Sequence, residues 1–218
     1  MFNQKALLLL FCGLMISVAT NASADSVIQL NELMSRLSTL QVNFHLEIRD
    51  QGSNELLDEN TGNLIVKRPG YFYVHTKEPF EQKIISDRKV IWTYDVELEQ
   101  ATSEPVDNRL QQTPFLLLSG DVKAIRANFS VESPESNGTS QRYKLSPNDP
   151  KASYDNVELR FESDILTAMS WHNSLGEKST IQFKDIKINE AVADSKFSFQ
   201  PPAGVDVIEK ESNASSPP

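Results

Sequence analysis

Hydrophobic and polar residues exchange places along this chain at two periods, and each change of period marks a new part. Val27, Leu30, Leu33, Met34, Leu37 and Leu40 recur at helical spacing, with Asn31, Glu32, Ser35 and Arg36 between them. The pattern predicts an amphipathic helix of about three to four turns laid with one face on the body, and Ser26 stands where a cap belongs. From Gln41 the period falls to two: Val42, Phe44, Leu46 and Ile48 alternate with Asn43, His45, Glu47 and Arg49. A polar turn over Asp50 to Asn54 leads into a second strand, broken or bulged near Gly62, that ends in Leu64-Ile65-Val66-Lys67-Arg68-Pro69-Gly70. Alternation puts Leu64, Val66 and Arg68 on one face and Ile65 and Lys67 on the other, so a guanidinium closes an apolar row. Pro69 and Gly70 then break the strand.

Short strands follow at Tyr71 to Thr76, Glu81 to Ser86, Lys89 to Tyr94 and Leu98 to Thr102. Links this short cannot cross over, which predicts an antiparallel meander. At Thr113-Pro114-Phe115-Leu116-Leu117-Leu118-Ser119-Gly120 a helix start and a helix stop enclose a segment apolar on every side, and a second short helix is expected over Asp121 to Ala127. So short a helix does not hold by itself and must be buried in something. Strands resume at Phe129 to Glu132, Gln141 to Leu145, Val157 to Ser163, Leu166 to His172 and Lys178 to Ile188. Val157, Leu159 and Phe161 turn inward against Glu158, Arg160 and Glu162. Pro134 to Gly138 and Asn148 to Tyr154 read as loops, and Phe197 to Val205 as a last edge segment. The sum is a mainly β (α+β) fold: an antiparallel sheet of about ten or eleven strands, curved into an incomplete barrel whose concave side is plugged by the first helix and the Phe115 to Leu118 segment.

Composition narrows the function classes. The 218 residues carry a net charge of -9 with no basic run, which argues against nucleic acid. Residues 1–24 read as a removable signal peptide: Lys5, an apolar core from Ala6 to Val18, and the small residues Ala22-Ser23-Ala24. The single cysteine, Cys12, falls inside that core, so the body, residues 25–208, has no disulfide and relies on its core. Residues 209–218 have the polar composition of a disordered tail.

Catalytic signatures are absent. His45, His75 and His172 lie far apart with no metal spacing, no serine sits in a G-x-S-x-G turn, and no glycine-rich phosphate loop is present. Glu97 and Glu99 read as a solvated face. The aromatic residues Tyr71, Phe72, Tyr73, Trp92 and Tyr94 read as core in preference to a ligand box. No cofactor and no metal is expected, and the pattern points to binding in place of catalysis.

Four stretches, taken in order, resemble one family, the periplasmic outer-membrane lipoprotein carrier proteins (LolA). They are Arg68-Pro69-Gly70-Tyr71-Phe72; Val90-Ile91-Trp92-Thr93-Tyr94-Asp95 with Leu98-Glu99-Gln100-Ala101-Thr102; Thr113-Pro114-Phe115-Leu116-Leu117-Leu118; and Phe197-Ser198-Phe199-Gln200-Pro201-Pro202-Ala203-Gly204-Val205. The resemblance implies an unclosed barrel with an apolar cavity for the acyl chains of lipoproteins, lined by Val42, Phe44, Leu46, Ile48, Leu64, Val66, Phe72, Val74, Trp92, Val157, Leu159 and Phe161. It implies that Arg68 bonds to a lid over Thr113 to Leu118 and holds it shut when empty. It also implies a monomer in the periplasm, loaded by an inner-membrane ABC transporter (LolCDE-like) and unloaded by an outer-membrane receptor lipoprotein (LolB-like). Two residues depart from the family pattern: Val74 where tryptophan is common, and Arg88 in place of the glycine of an Asp-Gly turn. A lipoprotein-sensing or protein-interaction module built on a similar open barrel is the alternative.

Overall fold

The computed structural model describes residues 22–106, 114, 116–119, 125 and 127–210. After helix α1 (Ala22–Ser35) come β1 (Thr39–Asp50), β2 (Leu56–Lys67), β3 (Tyr71–Glu78), β4 (Gln82–Asp87), β5 (Val90–Asp95) and β6 (Gln100–Pro105). The short helix α2 (Leu116–Ser119) separates these from β7 (Phe129–Val131), β8 (Glu135–Asn137), β9 (Ser140–Pro147), β10 (Tyr154–Glu162), β11 (Ile165–Asn173) and β12 (Glu177–Ile188), and β13 (Asp206–Glu209) ends the described chain. All thirteen strands form one sheet in the order β13-β6-β5-β4-β3-β2-β1-β12-β11-β10-β9-β7, with β8 beside β9. Its two ends, β13 and β7, are not paired with each other, so the sheet is open.

The meander was legible, but its last strand was not. β13 runs parallel to β6, with Asp206 opposite Gln100, so the sheet is not wholly antiparallel. It follows the Phe197 to Val205 segment that was expected to be the edge strand. That segment follows a 3-10 turn over Asp194–Phe197 and crosses the convex face instead. β8 is a further strand, inside the expected Pro134 to Gly138 loop. Glu209, assigned to the polar tail, is paired with Ser103, and Lys210 N–H reaches the Ser103 carbonyl at 2.8 Å. The rest of that tail, residues 211–218, lies outside the described residues, as do most of the leader and most of the expected Asp121 to Ala127 helix.

α1 is shorter at its C-terminus than its apolar period suggested. Leu37 is buried in the connection, and Leu40 starts β1 between Val66 and Ile188. Helix and strand both bury a residue three past Leu37, and two flanking ladders outweigh one more helical turn. Ser26 sits inside the helix and is buried, not at its start.

Two backbone positions set the shape of the sheet. Gly62 lies opposite Phe44, and a Cβ there would come within 2.1 Å of the His75 carbonyl oxygen and 2.8 Å of Phe44 Cζ. The β2–β3 register shifts beside it, which is the bulge that the glycine predicted. Arg88 holds the turn between β4 and β5 at a left-handed φ of 82°, with its guanidinium 5.6 Å from the Tyr71 ring centre. Stacking on Tyr71 offsets part of the strain that a glycine would avoid.

The convex face of β2 to β5 is covered by the chain running from β12 to β13. Lys67 Nζ donates to Asp194 Oδ1 at 2.5 Å and to the Val192 carbonyl at 3.3 Å. Phe197 is buried against Tyr71, Phe199 lies 5.5 Å from both the Trp92 and Tyr94 rings, and Lys196 sits 4.4 Å over Tyr73.

Gly62→Ala should destabilise the fold by about 2 to 3 kcal/mol, because the new methyl meets backbone that cannot move aside; a denaturant titration measures it, and an unchanged midpoint would contradict the close approach. Burial pushes the Tyr154 hydroxyl up to about 12. Its unfolded counterpart ionises near pH ~10, so this contribution to stability is complete below that pH and is lost as pH rises toward 12. Melting temperatures recorded from pH 9 to 11.5 should fall less steeply for Tyr154→Phe than for wild type.

Candidate functional site

The main cluster of buried apolar residues lies on one face of the sheet. Val42 and Phe44 of β1, Leu64 and Val66 of β2, Phe72 and Val74 of β3, and Val157, Leu159 and Phe161 of β10 are all buried in one cluster. Packed against them in the same cluster are Leu30, Leu33, Met34 and Leu37 from α1 and its connection, and Leu117 and Leu118 from α2. Leu46 is half-buried at the margin of this cluster and Ile48 lies beyond it, toward the far end of β1.

Trp92 is not in this group. Ser86 pairs with Ile91 and Ile85 with Trp92, so Ile91 joins the concave cluster while Trp92 points to the convex side, under Phe199. The same alternation brings in residues that the sequence reading left out: Ile84 beside Val74, and Ile181 and Phe183 from β12. Their signal was present in the strand pattern; what was missing was the register that fixes which half of it faces inward.

At the lower rim stands Arg68. Its Nε donates to the Leu118 carbonyl at 2.9 Å and its Nη2 to the Leu117 carbonyl at 3.3 Å. The Gly70 N–H donates to the Ser119 carbonyl at 2.6 Å. Three successive carbonyls, Leu117 to Ser119 at the end of α2, therefore accept hydrogen bonds from one strand-ending turn. The guanidinium also lies at the negative end of the local peptide dipoles and cannot lose its charge by deprotonation. Met34 Sδ, 3.9 Å from Nη2, and the Ser38 carbonyl, which accepts from Arg68 N–H at 2.9 Å, tie the same residue to α1 and the chain that leaves it. Arg68 thus joins both helical covers to the sheet.

Of the predicted lid, Pro114 is buried and its carbonyl accepts from Leu117 N–H at 3.0 Å. Leu117, Leu118 and Ser119 are buried, and Leu116 belongs to α2. Thr113 and Phe115 lie outside the described residues. Sequence reasoning did not single out Met34, Gly70 or Ser119 as partners at this rim, since a backbone N–H and a thioether leave no motif.

Ionisable chemistry sits elsewhere. The Arg49 hydrogen bond holds Glu47 below the usual carboxylate range, the Ser53 backbone N–H does so for Asp50, and Lys83 followed by His75 does so for Glu81. All three carboxylates are at the opposite end of the sheet from Arg68. Among the described residues no group of three His, Cys, Asp or Glu could hold a metal ion, and no helix is long and apolar enough to cross a membrane.

An open sheet whose apolar face is covered by two helical elements, with a cation at its edge, has the architecture of a binding protein for apolar cargo. Known proteins give the same class a narrower name. Residues 35–200 match the family described as "Outer membrane lipoprotein carrier protein LolA". The outer-membrane lipoprotein carrier protein of Pseudomonas fluorescens (strain Pf0-1) is 38% identical over 194 residues, covering 89% of this chain and 93% of the relative. That of Hahella chejuensis (strain KCTC 2396) is 36% identical over 206 residues, covering 94% and 98%. The chain belongs to this LolA family, whose members are carriers and not enzymes. Among solved structures, an uncharacterized conserved protein from Thermus thermophilus shares the fold with a TM-score of 0.52 at 13% identity, covering 86% of this chain and 99% of its own.

Replacing Arg68 should loosen α2 without unfolding the sheet. Amide hydrogen exchange at 116–119 is expected to quicken roughly 10- to 100-fold in Arg68→Leu, the equivalent of about 1.5 to 3 kcal/mol for a lost charge-assisted bond. Arg68→Lys should recover only part of it, since an ammonium is a point donor without the guanidinium fork. Equal exchange in all three proteins would rule out a latch.

Proposed function

We propose that this protein carries the acyl chains of lipoproteins in its concave hollow, across the periplasm. Residues 1–24 serve as the export leader and 25–208 as the carrier. It takes cargo from an inner-membrane ABC transporter and surrenders it to an outer-membrane receptor, working as a monomer.

The observation that carries this reading is the pairing of Arg68 with the Leu117 and Leu118 carbonyls directly over the buried apolar cluster. Burying an acyl chain releases about 0.8 kcal/mol per CH₂ group, so long chains taken up fully would bind too tightly to hand over. A cover that bonds to the rim in the empty state competes with the cargo. To admit a chain, α2 must leave the hollow, the two Arg68 bonds must break, and Leu117 and Leu118 must give up their burial. Each of these costs raises the loaded state relative to the empty one and lowers net affinity to the point at which transfer is possible.

Arg68→Leu should fold, accept lipoprotein at least as well as wild type, and release it poorly to outer-membrane vesicles, by an order of magnitude or more in rate. Purified carrier loaded with labelled lipoprotein and chased with such vesicles gives the measurement. Release at the wild-type rate would refute the latch as the source of reversibility.

A further inference from the structure

At the end of the sheet opposite Arg68, two neighbouring hairpins each hold out a large apolar side chain. Phe80, between β3 and β4, is 64% exposed, and Leu98, between β5 and β6, is 71% exposed. The tips are adjacent: Gln82 pairs with Asp95, and Val96 N–H donates to the Glu81 carbonyl at 3.1 Å. Local bonds fix the second tip. Leu98 N–H donates to Asp95 Oδ1 at 3.1 Å, and Glu99 N–H to the Val96 carbonyl at 3.3 Å. Pro79 stiffens the first by fixing its own φ.

The charge around these tips is mainly negative, with the exposed Lys77 of β3 outnumbered by carboxylates. Glu78, Glu97 and Glu99 are exposed beside Phe80 and Leu98, and none is ion-paired with another described residue. Glu81, by contrast, is held by Lys83 and His75. Glu99 adopts a left-handed φ of 49°, where glycine or asparagine would sit with less strain, so a carboxylate stands at the tip in spite of its backbone.

We propose that the Phe80 and Leu98 tips form a docking surface for a partner protein whose face carries clustered Lys or Arg around an apolar pocket. Apolar anchors framed by unpaired carboxylates complement such a face and speed its approach. They do not suit the surface of an anionic bilayer, which repels carboxylates. The position suits a carrier, and the proposal rests on that reading. β3 has 8 residues, so the tips stand roughly 26 Å from the Arg68 rim. A partner bound there holds the carrier without covering α2.

Two double variants of the full mature chain test this: Phe80→Ser with Leu98→Ser, and Glu97→Lys with Glu99→Lys. Three quantities are measured: binding of an apolar fluorescent dye, transfer of an acylated lipoprotein out of inner-membrane vesicles and into outer-membrane vesicles, and co-sedimentation of carrier with those vesicles. Both variants should bind dye like wild type and slow at least one transfer step tenfold or more. Added salt should slow the wild type toward the charge-reversed variant, and protease-stripped vesicles should no longer sediment the carrier. Transfer and co-sedimentation equal to wild type in both variants would overturn the proposal. So would undiminished sedimentation with stripped vesicles that depends on Phe80 and Leu98, since that marks a lipid anchor. A wild type that neither binds dye nor moves lipoprotein would defeat the carrier reading instead, and co-sedimentation alone would then decide the docking surface.

Discussion

A cation that cannot be neutralised, placed at the lip of an apolar hollow, must find acceptors, and Arg68 finds them in the last carbonyls of α2. Each side of this contact solves the other's problem. A four-residue helix has almost no stability of its own and leaves its carbonyls open. A guanidinium over an apolar cluster would be costly without oxygen partners. Joined, they cover the apolar cluster, and each supplies what the other lacks in that place. The cover is held by a few bonds and the burial of two leucines, a set that differs in kind from the strand ladders underneath it.

That difference separates the strand ladders from the helical covers. The sheet is laced through long ladders, and its convex side is held by Lys67, Phe197 and Phe199. Lys67 and Arg68 are neighbours in sequence that face opposite ways, one to the covering segment outside and the other to α2 inside. The turn that carries Arg68 is thereby fixed from behind. The helical covers have few backbone ties to the sheet by comparison.

Much of this was legible in the sequence because period-two alternation carries its own geometry. Leu64, Val66 and Arg68 were placed on one face from spacing alone, Gly62 announced a bulge, and Arg88 was marked as an unusual residue for a tight turn. The misreadings share one cause: register is a property of pairs of strands, and a single strand does not reveal it. Trp92 was placed among the lining residues on the resemblance, yet Ile91 holds the inward position. β13 went unrecognised because its partner, β6, is separated from it by half the chain. Leu40 satisfied the helical period and the strand period equally, and only the two ladders that flank it decide between them. The contacts to Met34, Gly70 and Ser119 depend on backbone groups and a sulfur, which no pattern of side chains announces.

The parallel pairing of β13 with β6 has a bearing on how the molecule comes into being. β1 waits for β12, and the outer edge of β6 waits for residues 206–209, so the first half of the sheet stays unfinished until nearly the whole chain has been made. Assembly that depends on such distant pairings is slow and late. Loss of the final residues would leave the outer edge of β6 as a bare strand border, prone to sticking to its copies.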